Sequence, residues 1–126
     1  MHESHTERHV TEYALRHLGV PSTKLGQHGY PDRLFFLPNG YLLMVEFKSP
    51  GRQPRPLQQH RINTLRQLGY RVEVHDDPVK AVASLHLHLE AAQISDAVDE
   101  ISARARERRA LLEAWAGEDR SHAWGV

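Results

Sequence analysis

The spacing of apolar residues predicts a chain of alternating helices and strands. Val10, Ala14 and Leu18 recur at helical intervals, and Gly19 with Pro21 ends that first helix. The predicted elements, in order, are a helix over 3–18, a short strand over 22–25, strands over 34–37 and 41–47, a helix over 57–68, a strand over 70–75 and a helix opened by Asp77-Pro78. This order is typical of a mixed sheet with helices packed on it, an α/β fold.

The two middle strands are predicted to form a hairpin. Pro38-Asn39-Gly40 is a turn sequence between two apolar stretches. The stretch from Tyr41 to Phe47 is almost continuously apolar, which is typical of a central strand covered on both faces. We therefore expect this strand to lie inside the sheet.

The last third of the chain has a different pattern. Apolar positions alternate by four and three residues, a spacing typical of a long amphipathic helix, with Arg108 interrupting the series. The series is Ile94, Val98, Ile101, Ala105, Leu112 and Trp115. This stripe either packs back on the domain or pairs with another chain. The sequence thus predicts a domain over 1–90 and a helical extension over 91–126.

Composition adds little until the charges are placed along the chain. The 126 residues have no cysteine and a formal net charge of zero, with no run of apolar residues long enough for a membrane span and no signal-peptide pattern at the N-terminus. A protein of a reducing cytoplasm, without a membrane partner, is expected. Between Lys48 and Arg71 every charged residue is basic. Arg52, Arg55 and Arg61 are therefore candidates for contacts with a phosphate backbone.

Three side chains indicate a phosphodiesterase site. Glu46 and Lys48 alternate on one strand and so project from the same face. Asp32 follows a proline at the head of the preceding strand, where it can reach that face. Two carboxylates and an ammonium group suit a divalent metal, an activated water and a phosphate. Taken singly, each motif has a simpler explanation, a solvated Glu-x-Lys pair and an ordinary Pro-Asp turn.

These residues and the order of elements resemble the PD-(D/E)xK nuclease superfamily, and more narrowly the stand-alone VRR-NUC domains of phages and bacteria. The resemblance spans roughly Glu7 to Leu89. Its motifs are Gly29-Tyr30-Pro31-Asp32-Arg33, the stretch Phe35 to Gly40, Val45-Glu46-Phe47-Lys48-Ser49-Pro50-Gly51, Pro54-Arg55-Pro56-Leu57-Gln58, and Leu65 to Val74. The C-terminal helix lies outside them. The resemblance implies a restriction-endonuclease-like core.

The resemblance also implies a role for each residue. Those implied to bind Mg²⁺ or Mn²⁺ are Asp32, Glu46, the backbone carbonyl of Phe47 and, through water, an acid of the first helix, for which Glu7 is preferred and Glu3 and Glu12 are alternatives. Lys48 would orient the attacking water and stabilise charge on the phosphate, and Gln58, or its neighbour Gln59, would hold Lys48 or the water. Lys24 and Arg33 are further candidates for contact with DNA.

The function implied is a metal-dependent endonuclease that acts as a homodimer on branched DNA such as four-way junctions. A less selective nickase or flap nuclease is the nearest alternative. A DNA-binding or packaging-associated module with the same fold is the alternative from another class. Closely spaced histidines, such as His5 and His9 or His86 and His88, could bind a transition metal, although scattered surface histidines are commoner.

Overall fold

The computed structural model describes residues 3–117, apart from the side chains of 95–99. The elements follow the order that the apolar pattern predicts. They are α1 (Glu3–Leu18), β1 (Ser22–Lys24), β2 (Arg33–Phe36), β3 (Leu42–Phe47), α2 (Pro56–Gln67), β4 (Arg71–His75) and α3 (Pro78–Ala116). A 3-10 turn over Pro38–Gly40 joins β2 to β3, and Asn39 takes the left-handed conformation with φ 65°. Asparagine tolerates that conformation better than most residues.

The four strands form one mixed sheet in the order β1-β2-β3-β4. The β1–β2 and β2–β3 pairs are antiparallel, and β3–β4 is parallel, with Glu46 opposite Val74. A parallel neighbour requires a crossover, and α2 supplies it. The predicted mixed sheet and the central position of β3 are confirmed.

Alternation along β3 divides the core into two layers. Leu43, Val45 and Phe47 face one cluster, which includes Val10 of α1 and Leu85 of α3. Met44 faces the other cluster, formed with α2 and β4. Glu46 and Lys48 share the parity of Met44, so they belong to the α2 face of the sheet. All residues from Leu43 to Phe47 are buried, which explains why every one of them except Glu46 is apolar.

The chain divides into two compact units, and the long helix α3 contributes to both. The first unit is Met1–Gln93, and the second is Ile94–Val126, of which residues 94–117 are described. In the second unit, the apolar side chains of Ile94, Ile101, Leu112 and Trp115 are exposed. Val98, the remaining large member of the predicted stripe, lies among the side chains outside the description.

None of the helices within residues 3–117 contains an apolar stretch long enough to cross a bilayer.

Candidate active site

Glu46 is a buried carboxyl group at the end of β3. Its residue is 1% exposed, and its Oε2 atom has no hydrogen-bond partner among the described residues. Burial raises the pKa of Glu46 to about 8, helped by a hydrogen bond with Asp32 and by the Asp32 charge, while Lys48 acts in the opposite direction. An acid that is held neutral by burial and by a second acid is typical of a site that expects a cation.

Asp32 is fixed across the hairpin from Glu46. Its Oδ2 accepts a hydrogen bond from the Phe47 N–H at 2.8 Å, and its backbone carbonyl accepts one from the Leu25 N–H at 2.8 Å. Because β2 starts where the antiparallel β3 ends, the residue just before β2 meets the last residues of β3. The predicted pairing of a Pro-Asp turn with the Glu-x-Lys strand is thus present in the geometry.

Lys48 is held by a glutamine from α2. The Lys48 Nζ atom donates to Gln58 Oε1 at 2.8 Å, and the same oxygen accepts the Arg55 N–H at 3.0 Å, which is one half of a capping box. Gln59 points elsewhere and donates to Asn63, one turn further along the helix, at 2.9 Å. Gln58, rather than its neighbour, is therefore the glutamine that contacts Lys48.

The acids of α1 divide into two roles. Glu7 is an ion-pair partner, because its Oε1 accepts a hydrogen bond from Arg33 Nε at 2.9 Å and its Oε2 lies 3.8 Å from Lys24 Nζ. Glu3, one turn earlier, is the α1 acid whose charge raises the pKa of Glu46. The two acids lie on the same side of the helix. Lys24 and Arg33 therefore contact Glu7, whereas the charge of Glu3 acts on the carboxyl group of Glu46.

The arginines that follow Lys48 differ in exposure. Arg52 and Arg55 are exposed, and the loop that carries Arg52 is anchored where the Gly51 N–H donates to Asp76 Oδ2 at 3.0 Å. Arg61 is partly buried, and its guanidinium carbon lies 4.8 Å from the centre of the Tyr30 ring. Sequence reasoning did not single out Tyr30, although it lies within the Gly-Tyr-Pro-Asp motif.

The carboxyl groups of Glu46 and Asp32 are suitable ligands for a divalent cation. Hard ions take carboxylate oxygens, and Glu46 offers a buried oxygen without a partner beside Asp32. Among the side chains that the structure describes, those of 3–94 and 100–117, no three of His, Cys, Asp or Glu are grouped closely enough to hold a metal by themselves. The remaining positions would thus be filled by a backbone carbonyl, water or substrate oxygens, the arrangement that Mg²⁺ commonly adopts.

A polar network on the other face of the sheet was not predicted. Glu73 accepts hydrogen bonds from Ser84 Oγ at 2.5 Å, His88 Nε2 at 2.6 Å and His75 Nε2 at 2.7 Å. The Tyr41 hydroxyl lies 2.7 Å from His88 Nδ1. The hydrogen bond from His75, followed by those from Ser84 and His88, lowers the pKa of Glu73 to about 2 against the opposing effect of burial. The network attaches α3 to β4.

The available sequence signal for this network was the alternation of Glu73 with His75 on a strand and the helical spacing of Ser84 and His88. The network also bears on the candidate metal-binding pair His86 and His88. His88 belongs to the Glu73 network, and His86 lies 3.0 Å from the Tyr13 hydroxyl, so the two side chains have separate partners.

Comparison with known proteins agrees with this architecture. Two solved structures described as "VRR_NUC domain" and "VRR_NUC domain protein" superpose with TM-scores of 0.60 and 0.61. The first is 27% identical, covering 67% of this chain and 94% of that one. The second, at 20% identity over 71% of this chain and 89% of that one, shows the fold alone. The fold is therefore the PD-(D/E)xK type.

A phage relative narrows the assignment. "Putative nuclease p44" of Acyrthosiphon pisum secondary endosymbiont phage 1 is 39% identical over 77 residues, which are 59% of this chain and 82% of that protein. No protein-family model matches the chain. Since the identity extends over most of the relative, the chain belongs to the VRR-NUC family of nucleases.

Proposed function

We propose that the protein is an endonuclease that hydrolyses phosphodiester bonds of DNA with Mg²⁺ or Mn²⁺ as cofactor. The observation that carries this proposal is the buried carboxyl pair of Glu46 and Asp32, with one oxygen lacking a partner, beside the hydrogen-bonded Lys48. A buried carboxyl oxygen without a hydrogen-bond partner destabilises a fold, so a catalytic use explains its presence better than a structural one.

The roles follow from the contacts. Asp32, Glu46 and the Phe47 carbonyl would hold the ion, which would supply Lewis acidity toward the phosphate and promote ionisation of water. Gln58 holds the Lys48 ammonium in one position, so no reorganisation is needed when charge develops on the phosphate oxygens.

The acid of α1 would contribute through water. Of these two acids of α1, Glu3 acts on Glu46 through its charge, whereas Glu7 is paired with Arg33 and Lys24. We favour Glu3 as the acid nearer the ion, with Glu7 placing the two cations where DNA can reach them. This assignment reverses the order of preference from the sequence.

DNA would lie against the basic residues that follow Lys48. Arg52 and Arg55 are exposed and belong to a loop anchored next to the site, as expected for contacts with a phosphate backbone. Branched DNA such as a four-way junction is the substrate we favour, with two active sites in a homodimer for two symmetric cuts. The exposed apolar stripe around Ile101 and Leu112 is the candidate contact between two copies.

The test is a cleavage assay on linear, nicked, flap and four-way DNA with Mg²⁺, Mn²⁺ or EDTA. Wild-type protein should cleave only with a divalent ion, and Asp32→Asn, Glu46→Gln and Lys48→Ala should each abolish cleavage. Asparagine is preferred at position 32 because Asn retains an oxygen that can accept the Phe47 N–H. Gln59→Ala is the matched control, since Gln59 contacts Asn63 instead of Lys48.

The panel also separates the alternatives. Equal cleavage of all substrates would favour a nickase or a nonspecific nuclease, and preference for flaps would favour a flap nuclease. DNA binding without cleavage under any metal would favour a binding or packaging-associated module and would refute the enzymatic proposal.

A further inference from the structure

Arg61 and Tyr30 form a stacked pair between the two segments that carry the candidate catalytic residues. Arg61 lies one helical turn after Gln58 on α2, and Tyr30 lies two residues before Asp32. The guanidinium carbon is 4.8 Å from the ring centre, within the range of a cation–π interaction. The pair therefore connects the loop before β2 to α2, the helix whose Gln58 accepts a hydrogen bond from Lys48.

Gly29 makes this contact possible. Its φ is +85°, and a Cβ atom at this position would lie 3.3 Å from Leu57 Cγ and 3.4 Å from Arg61 Nε. Glycine can adopt that conformation without strain, and its lack of a side chain lets the loop backbone approach α2. The position of the guanidinium is consequently set by packing on both sides, by the Tyr30 ring and by the Gly29 backbone.

Arg61 differs from Arg33 in its ion pairing. Among the described side chains, which exclude those of 95–99, no carboxylate lies within 4 Å of the Arg61 guanidinium, whereas Arg33 pairs with Glu7. In addition, the Nε atom of Arg61 is buried and lacks a hydrogen-bond acceptor. A guanidinium that is held in place while its charge remains unpaired is suited to a phosphate, which can accept two parallel hydrogen bonds from the terminal N–H groups of this partly buried arginine.

We propose that Arg61, oriented by Tyr30, binds a phosphodiester group of the substrate strand next to the one that is cleaved. The proposal rests on the proposed function in that the ligand is nucleic acid. It differs from the contacts expected of the exposed Arg52 and Arg55, because a stacked guanidinium sets the position of the strand relative to Asp32 and Lys48. Tyr30 is then a positioning residue that acts through Arg61.

The chain contains a matched control for this pair. The Arg71 guanidinium carbon lies 3.7 Å from the centre of the Tyr41 ring, so it is also an arginine stacked on a tyrosine. Arg71 begins β4 and pairs in register with Leu43, at the end of the parallel pair away from Glu46. Arg71→Gln removes the same chemistry at a distance from the site, and Arg61→Gln removes it beside the site.

The binding experiment uses fluorescence anisotropy with labelled duplex and four-way DNA, in a Lys48→Ala background that prevents cleavage, over a series of KCl concentrations. Arg61→Gln should weaken binding roughly 5- to 30-fold and lower the slope of log affinity against log salt by about one. Arg71→Gln should change affinity less than about twofold. Tyr30→Leu should weaken binding by a smaller factor with an unchanged slope, because the charge is retained.

A second measurement does not depend on DNA cleavage or on a junction. The dinucleotide TpT, which contains one phosphodiester, is titrated into ¹⁵N-labelled protein while the arginine Nε–H resonances are followed. The Arg61 resonance should shift and the Arg71 resonance should not. Equal effects of Arg61→Gln and Arg71→Gln on affinity and slope, or an Arg61 resonance that TpT does not move, would overturn the proposal. If no DNA is bound, the proposed function fails, and the TpT titration still decides whether the phosphate site exists.

Discussion

Glu46→Gln should abolish cleavage and at the same time stabilise the metal-free protein. Burial and Asp32 raise the pKa of Glu46 from its ordinary value of 4.5 to about 8. Since the folded protein holds this proton more tightly than the unfolded chain, the contribution of Glu46 to stability is complete below pH 4.5. It is lost progressively as the pH rises through 8. Glutamine does not ionise, and its amide can donate a hydrogen bond to Asp32.

The magnitude follows from the two pKa values. They differ by about 3.5 pH units, and each unit corresponds to about 1.36 kcal/mol, so full ionisation of Glu46 costs up to about 5 kcal/mol. Coupling to Asp32 and local relaxation reduce this, and we expect a stabilisation of roughly 3–5 kcal/mol for Glu46→Gln at pH 9. For a domain of this size, that corresponds to a rise in Tm of roughly 10–20 °C. At pH 4 the two proteins should unfold within about 1 kcal/mol of each other.

The assay is urea unfolding of both proteins in EDTA at pH 4, 6, 8 and 9, followed by circular dichroism. The same series with Mg²⁺ supplies the control, because an ion that binds the folded state stabilises it, and the substitution removes one of its ligands. Mg²⁺ should therefore narrow the gap at pH 8 by stabilising the wild type. A difference between the two proteins that does not change with pH would refute the reasoning about Glu46.

Three further predictions concern other parts of the molecule. Gln58→Ala should slow single-turnover cleavage roughly 10- to 100-fold, because Lys48 loses its hydrogen-bond partner, while Gln59→Ala should stay within about twofold. Glu73→Gln should lower the free energy of unfolding by about 1–3 kcal/mol at neutral pH. Because the pKa of Glu73 is lowered to about 2, that difference should shrink as the pH falls from about 4.5 toward 2. Ile101→Asp should convert a dimer to a monomer in light scattering at tens of micromolar, with far-UV circular dichroism retained.

Each of these has a clear contrary result. Equal rates for the two glutamine variants would show that holding Lys48 is unimportant for the reaction. A Glu73→Gln deficit that persists at pH 2 would mean that the network stabilises through packing instead of ionisation. A wild-type monomer at tens of micromolar would remove the dimer, whereas a dimer unaffected by Ile101→Asp would place its interface on the catalytic unit.

Local sequence patterns were sufficient for most of the fold. The almost continuously apolar run from Tyr41 to Phe47 predicted a central strand, and Pro38-Asn39-Gly40 predicted the connection that precedes it. The alternation that puts Glu46 and Lys48 on one face needs only the geometry of a strand. These features depend on near neighbours in the chain, and for that reason they could be read from residue order alone.

Contacts between distant segments were not accessible in the same way. The three acids of α1 all lie within one helix, and which of them faces the site depends on how the helix rotates against the sheet. Glu7 pairs with Arg33 across 26 positions, a contact that no local pattern encodes. Likewise, the orientation of α2 about its axis determines that Gln58, and not Gln59, contacts Lys48. The network around Glu73 combines a strand with a helix, and its members look like ordinary surface residues in sequence.

The compactness of the site along the chain has a consequence for the order of folding. The Asp32–Phe47 hydrogen bond spans 15 positions and the Lys48–Gln58 hydrogen bond spans 10, so both close short loops. Short loops carry a small entropic penalty and form early, whereas docking of α3 through Glu73 must await a preformed sheet. We therefore expect substitutions in the β2–β3 hairpin to slow folding and substitutions in the α3 contact to accelerate unfolding. The site would then belong to the folding nucleus, and substitutions made to alter catalysis would also alter the rate at which the protein folds.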